Sequence, residues 1–115
     1  MKIIVADDDY SNRRPLVVYL QRRGHFVIET SSAEQAILAF DTNPDTVAVI
    51  TDLEMEKPLS GLDVLSHIRS TRREVELCLV SGSLSPETTR KAEELEAFVL
   101  AKPFGLSELC QKLGL

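Results

Sequence analysis

The sequence predicts an open α/β fold of five parallel strands in the order 2-1-3-4-5, wound on both faces by five helices. Three observations carry that expectation. Five short apolar runs alternate with five stretches of helical periodicity along the 115 residues, the pattern of a parallel sheet with right-handed crossovers. Each run is nearly continuous rather than alternating, as strands covered on both faces are. Charged residues also close several runs. Asp7, Asp8 and Asp9 follow Ile3-Ile4-Val5-Ala6, Asp52 follows Val47-Ala48-Val49-Ile50-Thr51, and Lys102 follows Phe98-Val99-Leu100-Ala101. An open sheet takes its ligands outside the carboxyl ends of its strands, at a switch in winding direction. The order 2-1-3-4-5 puts that switch between strands one and three, where the carboxylates would meet.

Strands are expected over about 2–6, 25–29, 47–51, 76–80 and 97–101, where the apolar runs lie. The first helix has Pro15 near its start, where a missing N–H costs little, buries Leu16, Val17 and Leu20, and stops at Gly24. The second opens on Ser31, Ser32 and Glu34 as a capping box and buries Ala33, Ala36, Ile37 and Phe40. The third follows Gly61 with Leu62, Leu65 and Ile68 at helical spacing. The fourth starts at Ser85-Pro86-Glu87, an N-cap followed by an N1 proline. The fifth starts near Ser107 and runs through Leu109 and Leu113. No internal repeat, low-complexity stretch or linker interrupts the pattern, so one domain over 1–115 is expected.

With 43% apolar and 27% charged residues, the composition is that of a soluble domain. A net charge of −5 disfavours a nucleic-acid surface. The nearest basic cluster, Arg13-Arg14 with Arg22-Arg23, reads as a solvated helix face. No apolar run approaches the roughly 20 residues of a membrane span, and Asp7 interrupts the first run too early for a secretory signal. Cys78 and Cys110, without metal spacing, read as reduced thiols. The expected setting is cytoplasmic.

Three or four carboxylates in one crevice repel, and one lysine is too little to balance them. Mg²⁺ answers the chemistry, being satisfied by one or two carboxylates, waters and a phosphate oxygen. A carboxylate can attack phosphorus to give an aspartyl phosphate, a transfer that needs alignment and charge neutralisation above all. Asp52, alone at the tip of the central strand, is the nucleophile candidate. Asp7 and Asp8 are candidate metal holders, and Lys102 a second positive point. Ser81 offers a hydroxyl after Leu77-Cys78-Leu79-Val80, and Gly82 leaves room for close backbone approach.

At these residues the chain resembles a receiver domain of a two-component response regulator, with a CheY-like (flavodoxin-like) fold. The matching segments are Lys2-Ile3-Ile4-Val5-Ala6-Asp7-Asp8-Asp9, Thr51-Asp52-Leu53-Glu54-Met55, Gly61-Leu62-Asp63-Val64-Leu65, Leu79-Val80-Ser81-Gly82 and Lys102-Pro103-Phe104. The resemblance implies that Asp52 accepts phosphate from a histidine kinase or phosphotransfer protein. It further implies that Asp8, Asp52 and the Glu54 backbone carbonyl hold Mg²⁺, with Asp7 acting directly or through water. Ser81 and Lys102 would each bond a phosphoryl oxygen, with Gly82 beside them, and Lys102–Pro103 would be cis. Phosphorylation would then bias a two-state shift on the face of helix 4, strand 5 and helix 5 that meets a downstream effector. Such a domain is a signalling module that catalyses only its own phosphorylation and dephosphorylation. Neither nucleic acid nor membrane is an expected partner, and homodimerisation is left open.

The chain departs from the family pattern in four places. Val99 stands where an aromatic is usual, with Phe98 pointing to the other face of the strand. The loop before Gly61 is one residue longer than usual, and Glu56 stands where proline is common. The join from helix 4 to strand 5 lacks the usual Gly-Ala. Glu54 is expected to face the site entrance, where its charge would repel or orient a hydrolytic water. Other residues read blandly: Asp9 as a turn or helix cap, His25 at the solvated bottom of the sheet, His67 exposed on the third helix, Met55 packed on its loop and Cys78 in the core.

Two alternatives stand beside this reading. A degenerate receiver would serve only as a scaffold, against which the complete Asp7, Asp8, Asp52, Ser81 and Lys102 set argues. A haloacid-dehalogenase-type phosphatase also uses an aspartyl phosphate, but such enzymes carry Asp-x-Asp on the first strand and a cap domain. The chain has no length for a cap, and Asp52 lies on the third strand.

Overall fold

A computed structural model describes residues 1–115. The strands are β1 (Lys2–Ala6), β2 (Phe26–Thr30), β3 (Thr46–Asp52), β4 (Glu76–Ser81) and β5 (Phe98–Ala101). They alternate with helices α1 (Tyr10–Arg22), α2 (Ala33–Thr42), α3 (Gly61–Thr71), α4 (Pro86–Glu94) and α5 (Leu106–Leu113). All four strand pairings are parallel, and the order is β2-β1-β3-β4-β5. The expected order and alternation are therefore found.

Because successive side chains of a strand point to opposite faces, each apolar run feeds two cores. Ile4, Val49, Leu77 and Leu79 pack with Ala36 and Phe40 of α2, Leu65 and Ile68 of α3 and Ala92 of α4. Ile3, Val5, Ile50, Cys78 and Leu100 pack on the other face with Leu16, Val17 and Leu20 of α1 and Leu109, Cys110 and Leu113 of α5. Both cysteines are free and buried, and burial pushes the Cys78 thiol up to about 12. No helix is long and apolar enough to cross a membrane.

Several local expectations are corrected. Helix α1 begins at Tyr10, because the Asp9 carboxylate accepts the Ser11 N–H and caps it. Pro15 is thus interior to the helix rather than near its start, leaving the Ser11 carbonyl without its i→i−4 donor. At α2 the cap is Ser32, and Gln35 rather than Glu34 completes the exchange: Gln35 N–H donates to Ser32 Oγ, and Ser31 N–H donates to Gln35 Oε1. Ile37 is only half-buried. His67 is half-buried rather than exposed, its Nε2 lying 2.7 Å from Asp41 Oδ1 and its ring edge-on to Phe40. His25 does lie below the sheet, but its Nδ1 is buried without a partner, and burial first, then the N-terminal charge and Arg23, holds its pKa down.

The short α4–β5 join turns through Glu96, the one non-glycine residue with positive φ, at 56°. Arg69 steadies the turn by donating to the carbonyls of Leu95 and Glu96 at 2.7 and 3.0 Å. A side chain in this region costs about 1–2 kcal/mol, whereas the exposed Arg73–Glu96 pair is worth less. Glu96→Gly is therefore expected to be neutral or to raise stability by up to about 1 kcal/mol in urea denaturation, after allowing for glycine's unfolded-chain entropy. A clear loss would show that the ion pair, not the backbone, governs this turn.

Candidate functional site

The parallel sheet delivers four charged or polar side chains to one edge. Asp52 and Ser81 are the last residues of β3 and β4, each strand running one residue further than expected. Asp7 and Lys102 lie just past β1 and β5. Asp7 is folded back into the crevice because its Oδ1 accepts the Asp9 N–H at 2.9 Å, while its own N–H donates to the Thr30 carbonyl at 3.2 Å. Lys102 N–H donates to the Ser81 carbonyl at 2.8 Å, anchoring the loop after β5 to β4. The Lys102–Pro103 peptide is cis, as is Lys57–Pro58.

Carboxylate oxygens of Asp7, Asp8 and Asp52 all lie within 4.8 Å of one another. Asp7 and Asp52 are buried, at 6% and 7% exposure, and Asp8 faces solvent. At that spacing the like charges repel, most strongly between the two buried carboxylates, where solvent screens least. One ammonium answers them: Lys102 Nζ sits 3.0 Å from Asp52 Oδ2 and 3.5 Å from Asp7 Oδ2. Burial raises the Asp52 pKa, opposed by the Lys102 bond and charge and reinforced by Asp7. Burial alone would lower Lys102, but its bond and attraction to Asp52, with Asp7 behind, carry it upward. The cluster thus keeps an excess of negative charge on oxygen donors alone, and the residues fit a hard divalent cation of the Mg²⁺ type.

Ser81 is wholly buried, and its hydroxyl is already committed. It donates to Glu54 Oε1 and accepts the Ser83 N–H at 3.0 Å, while Ser83 Oγ donates to Glu54 Oε2 at 3.2 Å. Glu54 therefore does face the site entrance, but as an acceptor spanning the hydroxyl of Ser81 at the end of β4 and that of Ser83 in the loop after it. Its N–H lies 3.4 Å from Asp52 Oδ1. Gly82 is exposed, with open space where a side chain would begin. Sequence reasoning missed the Glu54–Ser81 contact, because it joins the ends of two strands.

It also misread Arg13, taken as part of a solvated face. The Arg13 side chain is only 11% exposed, its Nε bonds Glu29, and its Nη1 donates to the Asp7 carbonyl at 2.7 Å. Its place one turn into α1, four residues after Asp9, was the only available signal. Val99 packs with the α2–α3–α4 core, while Phe98 lies on the opposite face under Lys112, as its parity required.

Comparison with known proteins agrees with this geometry. A family model described as the response regulator receiver domain matches residues 3–114. The chain is 36% identical over 119 residues to the sensory/regulatory protein RpfC of Xanthomonas campestris pv. campestris, covering 99% of this chain and 16% of RpfC. It is 35% identical over 108 residues to the DNA-binding transcriptional regulator NtrC of Azospirillum brasilense, covering 93% of this chain and 22% of NtrC. The chain thus spans less than a quarter of either relative. Among solved structures, a response regulator receiver protein from Pseudomonas putida superposes with a TM-score of 0.88 at 32% identity, covering 98% of this chain and 94% of that one.

Proposed function

Because the chain belongs to the response regulator receiver domain family, we propose that it is a single phosphoacceptor domain, residues 1–115, that takes a phosphoryl group onto Asp52. The donor is the phosphohistidine of a kinase or phosphotransfer protein. The observation that carries this reading is Lys102 Nζ held between Asp52 and Asp7, with Asp8 completing the carboxylate cluster. An Asp52 oxygen attacks phosphorus, the P–N bond to the donor breaks, and the imidazole leaves with its electron pair and takes up a proton. Asp7, Asp8 and Asp52, with the Glu54 backbone carbonyl, would hold Mg²⁺, which when bound supplies charge neutralisation to the carboxylates and the transferring oxygens.

The remaining work falls to the chain's own groups. Lys102 exchanges its Asp52 contact for a phosphoryl oxygen. Ser81 turns its hydroxyl to another, and Gly82 lets the backbone come close. Glu54 must first release Ser81, since one O–H serves one acceptor. That release, with the Lys102 movement, shifts the β4–α4 and β5–α5 loops and biases the α4–β5–α5 face toward an effector. With Val99 in the strand, the switch does without an aromatic rotamer there. The domain acts as a cytoplasmic signalling module rather than an enzyme on external substrates.

The phosphatase reading gains no support, because Asp9, the second carboxylate of Asp7-x-Asp9, is spent capping α1. The test is intact mass after incubation with acetyl phosphate or phosphoramidate, with MgCl₂ or with EDTA. One Mg²⁺-dependent phosphoryl adduct is expected. No adduct together with no Mg²⁺ binding would leave the phosphate-independent scaffold instead.

The Glu54 contact adds a rate prediction. Glu54→Gln removes the charge yet keeps an acceptor, whereas Glu54→Ala removes both. Adduct formation from acetyl phosphate is expected to quicken several-fold in the first variant and about tenfold in the second, as for losing a bond to a charged acceptor. Wild-type rates in both would mean that Glu54 leaves Ser81 without cost.

A further inference from the structure

Arg13 and Glu29 stand behind the carboxylate cluster rather than in it, and neither has a part in the proposed transfer. The Glu29 carboxylate on β2 takes Arg13 Nε on one oxygen and Arg14 Nη1 at 2.6 Å on the other. Arg13 then extends Nη1 to the Asp7 backbone carbonyl at 2.7 Å. On its other side the Asp7 N–H is held by the carbonyl of Thr30, the neighbour of Glu29. Both ends of the Asp7 residue are thus tied to the tip of β2, one directly and one through a guanidinium.

The physical need is plain. The β1–α1 loop carries two of three mutually repelling carboxylates, and a loop under that load opens outward unless its backbone is held. A guanidinium suits the task because its rigid fork satisfies two acceptors at once, which an ammonium on a flexible stem does not. Glu29 holds one side of the fork while the other side reaches the Asp7 carbonyl. Burial alone would raise the Glu29 pKa, but its bonds to Arg13 and Arg14 outweigh burial and hold the carboxylate low.

We infer that Arg13, braced by Glu29, is a positioning residue that holds Asp7 and Asp8 in the geometry that receives the divalent cation. The inference rests on the metal-binding part of the proposed function. It assigns no catalytic contact to Arg13.

The experiment is titration with MgCl₂ alone, by calorimetry at 10 °C, on the whole chain as wild type, Arg13→Ala, Arg13→Lys and Glu29→Gln. It is paired with amide hydrogen exchange at Asp7 and Asp9, whose N–H groups are bonded to the Thr30 carbonyl and to Asp7 Oδ1, in the metal-free protein. Mg²⁺ affinity is expected to fall about tenfold in Arg13→Ala, and nearly as far in Arg13→Lys, which restores charge without the fork. Glu29→Gln is expected to fall less, and exchange at Asp7 and Asp9 should quicken in all three. A merely structural role would lower the melting temperature and leave Mg²⁺ affinity of the folded protein unchanged, which overturns the inference. Full recovery by Arg13→Lys would also overturn it, since charge alone would then suffice. If wild type itself binds no Mg²⁺, the proposed metal site fails first, and that outcome is distinct from equal binding by all four proteins.

Discussion

Asp52→Asn is expected to abolish the Mg²⁺-dependent phosphoryl adduct while making the metal-free fold more stable. The first effect follows from chemistry: an amide is a poor nucleophile toward phosphorus, and no other carboxylate in the cluster lies on the central strand opposite Ser81 and Lys102. The second follows from electrostatics. The folded-state pKa of Asp52 is raised, burial being the largest cause, even against the bond from Lys102. A raised carboxylate pKa means that the native state holds this proton more tightly than the unfolded chain does. Ionising Asp52 therefore costs stability, and the cost appears as pH rises through the folded pKa. Asparagine carries no such cost at any pH. The variant should melt a few degrees higher than wild type at pH 7 in EDTA, and the difference should vanish below the ordinary aspartate range. Intact mass and thermal denaturation by circular dichroism check both parts. A residual adduct would move the acceptor to Asp7 or Asp8, and a lower melting temperature would mean that the Lys102 bond outweighs burial.

Gly61→Ala is expected to cost the fold much of its stability. Helix α3 begins at Gly61, whose N–H donates to the Leu53 carbonyl at 2.9 Å. A Cβ there would lie 2.1 Å from the Asp52 carbonyl oxygen and 3.0 Å from Leu53 Cα. Both obstacles are backbone, so no side chain can turn aside. The requirement is close approach, not an unusual dihedral. A cost of about 3 kcal/mol is expected, at the upper end of ordinary overpacking, and the melting temperature should drop by about 10 °C or more for a domain of this size. Because the clash falls on the residue that carries the candidate nucleophile, phosphoryl uptake should fall as well. Gly82→Ala is the control for stability: a Cβ at Gly82 meets nothing within 4 Å, so its melting temperature should be unchanged. Near-wild-type stability in Gly61→Ala would show that α3 can slide away from β3.

These two positions differ in how readily they could be found. Asp52 was legible because a run of β-branched and small apolar residues ends on it, and a parallel strand points its carboxyl end at the ligand crevice. Asp7, Asp8 and Lys102 were legible on the same ground, and the capping of α4 by Ser85 could be read directly from Ser85-Pro86. Gly61 marked a helix start, but nothing in the local sequence announces that β3 runs beneath it. Helix α1 was read as starting too late because Pro15 suggested an entrance, whereas the Asp9 cap overrode that signal six residues earlier.

By itself the sequence determined the βα alternation, the strand order and the residues delivered to the sheet's carboxyl edge. The alternation and the edge residues follow from periodicity and from the fixed direction of a parallel strand, which are local properties of the chain. The order follows from the need for the carboxylates after the first and third strands to meet. Only the tertiary structure decided that Glu54 takes the Ser81 hydroxyl, that Arg13 reaches from Glu29 to the Asp7 carbonyl, and that Lys102 bridges Asp52 and Asp7. Each of these joins residues 6 to 95 positions apart. Their pairing depends on how loops from different strands meet, and on which of several competing acceptors a buried donor finds within reach.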